Sequence, residues 1–161
     1  MENELAELYN ALAKKLNSMI PTDWIELYYL GEVEKGRLSL SSVFYFKDSA
    51  RDCIIRSHDI PSYYATSEEV YDELLEELED SLLELYDTFE RNEQELWEQI
   101  SFKLHDSGKF EVDYFYDVMN DNDGGQSNRE VVWAYETFGF IPKEGSYLRE
   151  LLDEYLSEKP N

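Results

Sequence analysis

Basic side chains are scarce in this chain of 161 residues: 14 Lys and Arg face 37 Asp and Glu, for a net charge of −23. Contacts to phosphate need Lys and Arg, so direct binding to nucleic acid is not expected, nor is docking on an anionic membrane surface. Cysteine is reduced to Cys53 alone. A single cysteine makes no internal disulfide, and nothing points to an oxidising compartment. No apolar run approaches the roughly 18 residues of a membrane span. The opening Met1-Glu2-Asn3-Glu4-Leu5 is acidic and amphipathic, not basic and then apolar. No signal peptide is expected, and the cytoplasm is the expected compartment. Aromatic residues, by contrast, are plentiful: Trp, Tyr and Phe make up 15% of the chain. They oppose the lean towards disorder that high charge and a mean hydropathy of −0.60 would otherwise give. The length fits one domain, taken as residues 1–161, with enough chain for a real core.

Apolar spacing predicts an α+β domain. Leu5, Leu8, Leu12, Leu16 and Met19 recur at helical intervals, with Asn3 a possible cap and Pro21 a stop. Three strands follow. Ile25, Leu27, Tyr29 and Val33 alternate with polar positions, then Leu38, Leu40, Phe44 and Phe46, then the short run Cys53-Ile54-Ile55. Thr66-Ser67-Glu68-Glu69 reads as a capping box opening a long helix, whose stripe is Val70, Leu74, Leu78, Leu82, Leu85 and Phe89 and whose end falls near Asn92. A hairpin carries Phe102 and Leu104, then Phe110, Val112, Tyr114 and Tyr116, around Asp106-Ser107-Gly108. After a polar loop over 117–128, Ser127-Asn128-Arg129-Glu130 reads as a second capping box, and Gly139 as the residue past that helix's end. Ser146 caps a last helix with Leu148, Leu151, Leu152 and Tyr155. The expected order is α-β-β-β-α-β-β-α-α: an antiparallel sheet of about five strands, a meander plus a hairpin, with about four helices packed around it.

Charge concentrates on the long helix. Glu68 to Glu98 holds 14 acidic residues against Arg91 alone. At 100° per residue, Glu69, Glu73, Glu76, Asp80, Glu84 and Asp87 lie opposite the apolar stripe, a ridge about 27 Å long. Its plain reading is a solvated helix face. Yet like charges four apart, such as Glu69/Glu73 and Asp80/Glu84, cost a few tenths of a kcal/mol each, and a ridge that repels itself suits a basic partner. Asp117, Asp121 and Asp123 add a second acidic cluster. With Gly124 at the sixth place of a calcium loop, Asp121, Asp123 and Glu130 fall on ligand positions, but Met119 falls on the first and brings no oxygen. A polar loop is expected there, not a metal site. His58 and His105 lie near no Cys and in no HExxH pattern, so structural roles are expected, with His58 bonding backbone. There is no phosphate-binding Gly-rich loop and no GxSxG elbow. No catalytic residues and no cofactor are assigned.

Several phrases, in register over nearly the whole chain, resemble the YezG family of small acidic antitoxin (immunity) proteins. They are Ile20-Pro21-Thr22-Asp23-Trp24, Ser57-His58-Asp59-Ile60-Pro61, Tyr71-Asp72-Glu73-Leu74-Leu75, Gly108-Lys109-Phe110 leading to Asp113-Tyr114, and Trp133, Tyr135, Gly139 and Pro142. One departure is Leu96, ahead of Trp97, where the family carries a proline. The resemblance implies a cytoplasmic, non-enzymatic partner of a secreted toxin of the LXG or type VII kind, often a nuclease. A nuclease surface is basic because it holds phosphates, so a strongly acidic domain complements it. The expected function is therefore a toxin-neutralising immunity protein, with the ridge and the loop aspartates as candidate contacts. The alternatives are an acidic adaptor or chaperone for a basic partner and, more remotely, a metal-dependent enzyme using the 117–123 loop.

Overall fold

A computed structural model describes residues 1–159. Backbone contacts divide the chain into two compact units, the first Met1–Asp117 and the second beginning at Val118. The first unit holds α1 (Glu2–Ser18), β1 (Trp24–Val33), β2 (Leu40–Asp48), β3 (Cys53–Arg56), α2 (Ile60–Tyr63), α3 (Glu68–Arg91), β4 (Gln99–His105) and β5 (Phe110–Phe115). Its strands form one antiparallel sheet in the order β3-β2-β1-β4-β5. The α+β class and the order of the major elements are as the periodicity predicts. Among the described residues there are five α-helices, not four, because α2 is added. A four-residue helix has no apolar period to read, and its Pro61 sits in the first turn, where no N–H is needed.

One face of the sheet packs against α1 and α3. Leu12 and Leu16 of α1, with Leu78, Leu82, Leu85 and Phe89 of α3, meet Leu27, Tyr29, Phe44, Phe46, Ile100 and Phe102 from the strands in one core. Gly31 permits the close approach of α3. A Cβ there would lie 2.6 Å from Leu82 Cδ1, 2.7 Å from the Tyr29 hydroxyl and 3.0 Å from Ile100 Cγ2. Gly31→Ala is therefore expected to overpack this interface and lose about 1–3 kcal/mol of stability. Urea unfolding checks it; an unchanged midpoint would show that the layers shift apart freely.

Local differences from the expected pattern have physical causes. A β-bulge between Trp24 and Leu27 shifts the β1–β2 register, so Trp24 packs against the core and Ile25 is exposed. Leu38 lies outside β2 and is 78% exposed, because Lys35–Arg37 form a 3₁₀ turn that delays the strand to Leu40. Ser67, not Thr66, caps α3 and accepts the Val70 N–H at 3.2 Å. Without a carboxylate three residues on, it makes no reciprocal box. Asn3 does not cap α1, which begins at Glu2.

The second unit is α4 (Gln126–Phe138) and α5 (Tyr147–Glu158). Its expected Ser127 capping box is absent: α4 starts at Gln126 behind Gly125 with no side-chain cap, and Glu130 is buried. Gly139 ends α4 at φ 71°, as a left-handed end position requires. Ser146 accepts the Arg149 N–H and caps α5 as expected. The Tyr155 hydroxyl and Lys159 Nζ both donate to Glu136, at 2.6 and 2.8 Å, tying α5 back to α4.

Candidate functional site

The outer face of α3 is the most distinctive surface of the first unit. The helix lies with its apolar stripe on the core, and that turns Glu69, Glu73, Glu76, Asp80 and Glu84 into solvent. Asp87, the sixth ridge residue, is half-buried and is the one of the six found in an ion pair among the described residues. Arg37 donates to it, and to Glu90 at 3.2 Å. On the flank of α3 Lys15 pairs with Glu77 at 3.3 Å, and Arg91, at the helix's own end, pairs with Glu4 of α1 at 2.9 Å. The concentration of negative charge is felt inside the helix. Burial first, then the charges of Asp80 and Glu76, holds the half-buried Glu79 carboxyl above the usual range.

The stripe itself is open at its beginning. Val70 is 52% exposed, not part of the core as its spacing suggests. It overhangs a groove of about 270 Å³ with Met19, Pro21, Ile60, Tyr71 and Leu74 in its walls.

The loop aspartates behave differently from the ridge. Asp117 closes the first unit, exposed and paired with Lys35. Asp121 is exposed in the second unit. Asp123 turns inward, where its carboxylate accepts the N–H groups of Gly125 at 2.7 Å and Asn120 at 2.8 Å, and Arg129 at 3.0 Å. Burial raises its pKa, but these donors outweigh burial and hold it below the usual aspartate range. The calcium-like spacing thus reflects a loop laced by its own side chains. Among the described residues, no group of three or more His, Cys, Asp or Glu converges in a way that could hold a metal ion.

The histidines are placed by tertiary contacts that the sequence does not reveal. His58 Nδ1 lies 2.6 Å from the Tyr71 hydroxyl, and the two rings meet edge-on at 5.9 Å. His105 sits 3.4 Å from Glu26 beside the hairpin. Trp97 is buried against Tyr86, Phe89 and Tyr114. The two faces of β5 differ in their surroundings. Phe110 and Tyr114 pack towards Tyr9, and the Tyr9 and Tyr114 hydroxyls share a hydrogen bond. Phe115, on the opposite face, is 40% exposed. The residue missed by sequence reasoning is Arg37. Its partners lie some 50 positions away, and no local signal marks it.

Sheet, helix pair and carboxylate ridge define a small, strongly acidic α+β protein whose most prominent feature is a surface, not a cleft. Comparison with known proteins makes the assignment specific. A family model described as "Immunity protein YezG-like" matches residues 5–152. The chain is 33% identical over 153 residues to Immunity protein YezG of Bacillus spizizenii, covering 95% of this chain and 93% of that one. It is 31% identical over 140 residues to Immunity protein YezG of Bacillus subtilis, with 87% and 91% covered. A third relative, Type VII secretion system protein EsaG of Staphylococcus aureus, is 27% identical over 160 residues, with 98% and 96% covered. The chain belongs to the YezG-like immunity protein family.

Proposed function

We propose that this protein binds and neutralises a cognate secreted toxin, a nuclease, in the cytoplasm of the cell that makes both. Membership of an immunity family supports the protective role. The name of the Staphylococcus aureus relative, a type VII secretion system protein, supports export of the toxin by a type VII route. No described helix is long and apolar enough to cross a membrane, which fits a protein that meets its partner before export.

The observation that carries the reading is the row of five exposed carboxylates along α3 without a cation on it. A merely solvated face gains by interspersing Lys at i+4, and this one forgoes that gain. A nuclease must present Lys and Arg to phosphates, so the ridge complements it and speeds capture. Capture by seating the ridge in the phosphate-binding cleft is the favoured mechanism. Binding at another surface, with the ridge steering only, is the second. Asp117 and Asp121 extend the acidic surface of their own units, while Asp123 shapes its loop.

Affinity capture from the source bacterium, washed with rising salt, tests the reading. The expected result is one stoichiometric partner with a basic toxin domain. A smear of weakly held basic proteins would instead favour an adaptor, and an empty column from cells expressing a candidate toxin would overturn the proposal.

A further inference from the structure

We infer that the turn joining β1 to β2 is a preorganised anchor, which inserts Leu38 into an apolar pocket rimmed by Lys and Arg on the toxin. The inference rests on the toxin-binding reading above and names the contact that would hold the complex once charge has formed it. Leu38 is the most exposed large apolar side chain among the described residues, at 78%. A lone exposed Leu is ordinary. What sets this one apart is how its backbone is held.

Gly36 and Arg37 adopt consecutive left-handed conformations, φ 76° and 58°. The second is unfavourable for a residue with a Cβ. Arg37 is kept there by its side chain. The guanidinium donates to Asp87 and Glu90 and lies 5.0 Å from the centre of the Tyr86 ring, so three residues of one turn of α3 grip it. The base of the turn is closed by the Glu34 N–H to the Ser39 carbonyl at 3.0 Å and the Arg37 N–H to the Glu34 carbonyl at 2.9 Å. On its other side Lys35 pairs with Asp117. Strained, over-determined turns of this kind cluster at ligand clamps. A turn backbone fixed in advance loses little freedom on binding, which favours the residue it presents as an anchor.

Charge selects the occupant. Glu84 and Glu90 are exposed on the same end of α3, and the helix C-terminus adds its negative dipole. A second copy of this chain, at net charge −23, is repelled from that end. A basic domain is drawn to it, and the apolar tip of Leu38 then requires a matching pocket.

The probe is the toxin domain retained by the wild-type protein, purified with its activity disabled by mutation. Leu38→Ala should dissociate about 10- to 100-fold faster, with an association rate within about twofold of wild type. Because Leu38 is exposed, its thermal unfolding should not move. Arg37→Ala should also speed dissociation, and the Arg37→Ala/Leu38→Ala double variant should lose no more than the worse single variant, since Arg37 acts by placing Leu38. Dissociation of Leu38→Ala within about twofold of wild type would overturn the anchor while leaving the immunity reading intact, as would strictly additive losses. A change confined to self-association would overturn it too. Failure of the wild-type protein to hold any toxin domain would remove both.

Discussion

Reversing Glu73, Glu76 and Asp80 together to lysine is expected to slow association with the toxin domain by about 10- to 100-fold at low salt, and to flatten the salt dependence of that rate. All three carboxylates are exposed at the middle of the ridge, so the fold should survive. Removal of Asp80 and Glu76 also relieves Glu79, whose protonation they favour. With a screening length of about 10 Å at 0.1 M salt, wild-type association should fall steeply as salt rises, and the triple variant should start low and change little. Stopped-flow mixing across a salt series reads both quantities. If dissociation accelerates as well, the ridge is seated in the interface. If only association changes, it steers. Unchanged rates would reduce the ridge to a solvated face.

Asp48→Ala should be the most destabilising of the surface-distant changes, at about 3 kcal/mol. Asp48 ends β2 fully buried, its carboxylate accepting the N–H groups of Ala50 and Arg51 at 2.8 and 3.1 Å, the Tyr64 hydroxyl at 2.7 Å and the Arg51 guanidinium at 3.2 Å. Truncation leaves several donors unmatched at the edge of the core, where Tyr64 stacks on Phe46. The Tyr64 hydrogen bond leads the causes that hold the Asp48 carboxyl below its usual range, with burial opposing. A depressed carboxyl contributes stability that is fully present above its unfolded pKa of about 3.9 and is lost as pH falls through the lower folded value. The gap between wild type and Asp48→Asn in urea unfolding should therefore be full at pH 7 and shrink below about pH 4. A gap independent of pH would show that the charge contributes nothing.

Much of this protein can be read from periodicity. The core of α1, the C-terminal end of α3, the capped start of α5, the existence and order of the five strands and the ridge all follow from local spacing, because each depends on which side of a single element faces the core. The errors fall where the deciding contact is distant. The alternation Leu38, Leu40, Phe44 runs unbroken through a turn, and the 3₁₀ turn Lys35–Arg37, whose Arg37 reaches Asp87 and Glu90, leaves Leu38 outside the strand. Ile25 fits its strand's alternation until a bulge displaces it. Asp123 has the spacing of a cation ligand, yet it spends its carboxylate on Asn120, Gly125 and Arg129. Asp48 looks like an ordinary turn residue until Tyr64, 16 positions on, is folded against it. Family resemblance carried what periodicity could not, the immunity role, whereas the ridge carboxylates proposed to meet a toxin have no signature beyond charge.

The most direct measurement is a titration of the captured toxin domain's nuclease activity with this protein, at concentrations well above the dissociation constant. Neutralisation by tight binding predicts a linear fall in DNA cleavage that reaches baseline at a fixed stoichiometric ratio, with the break point unchanged at 150 mM salt. Full cleavage persisting at several equivalents, with complex formation verified in the same samples, would contradict the account.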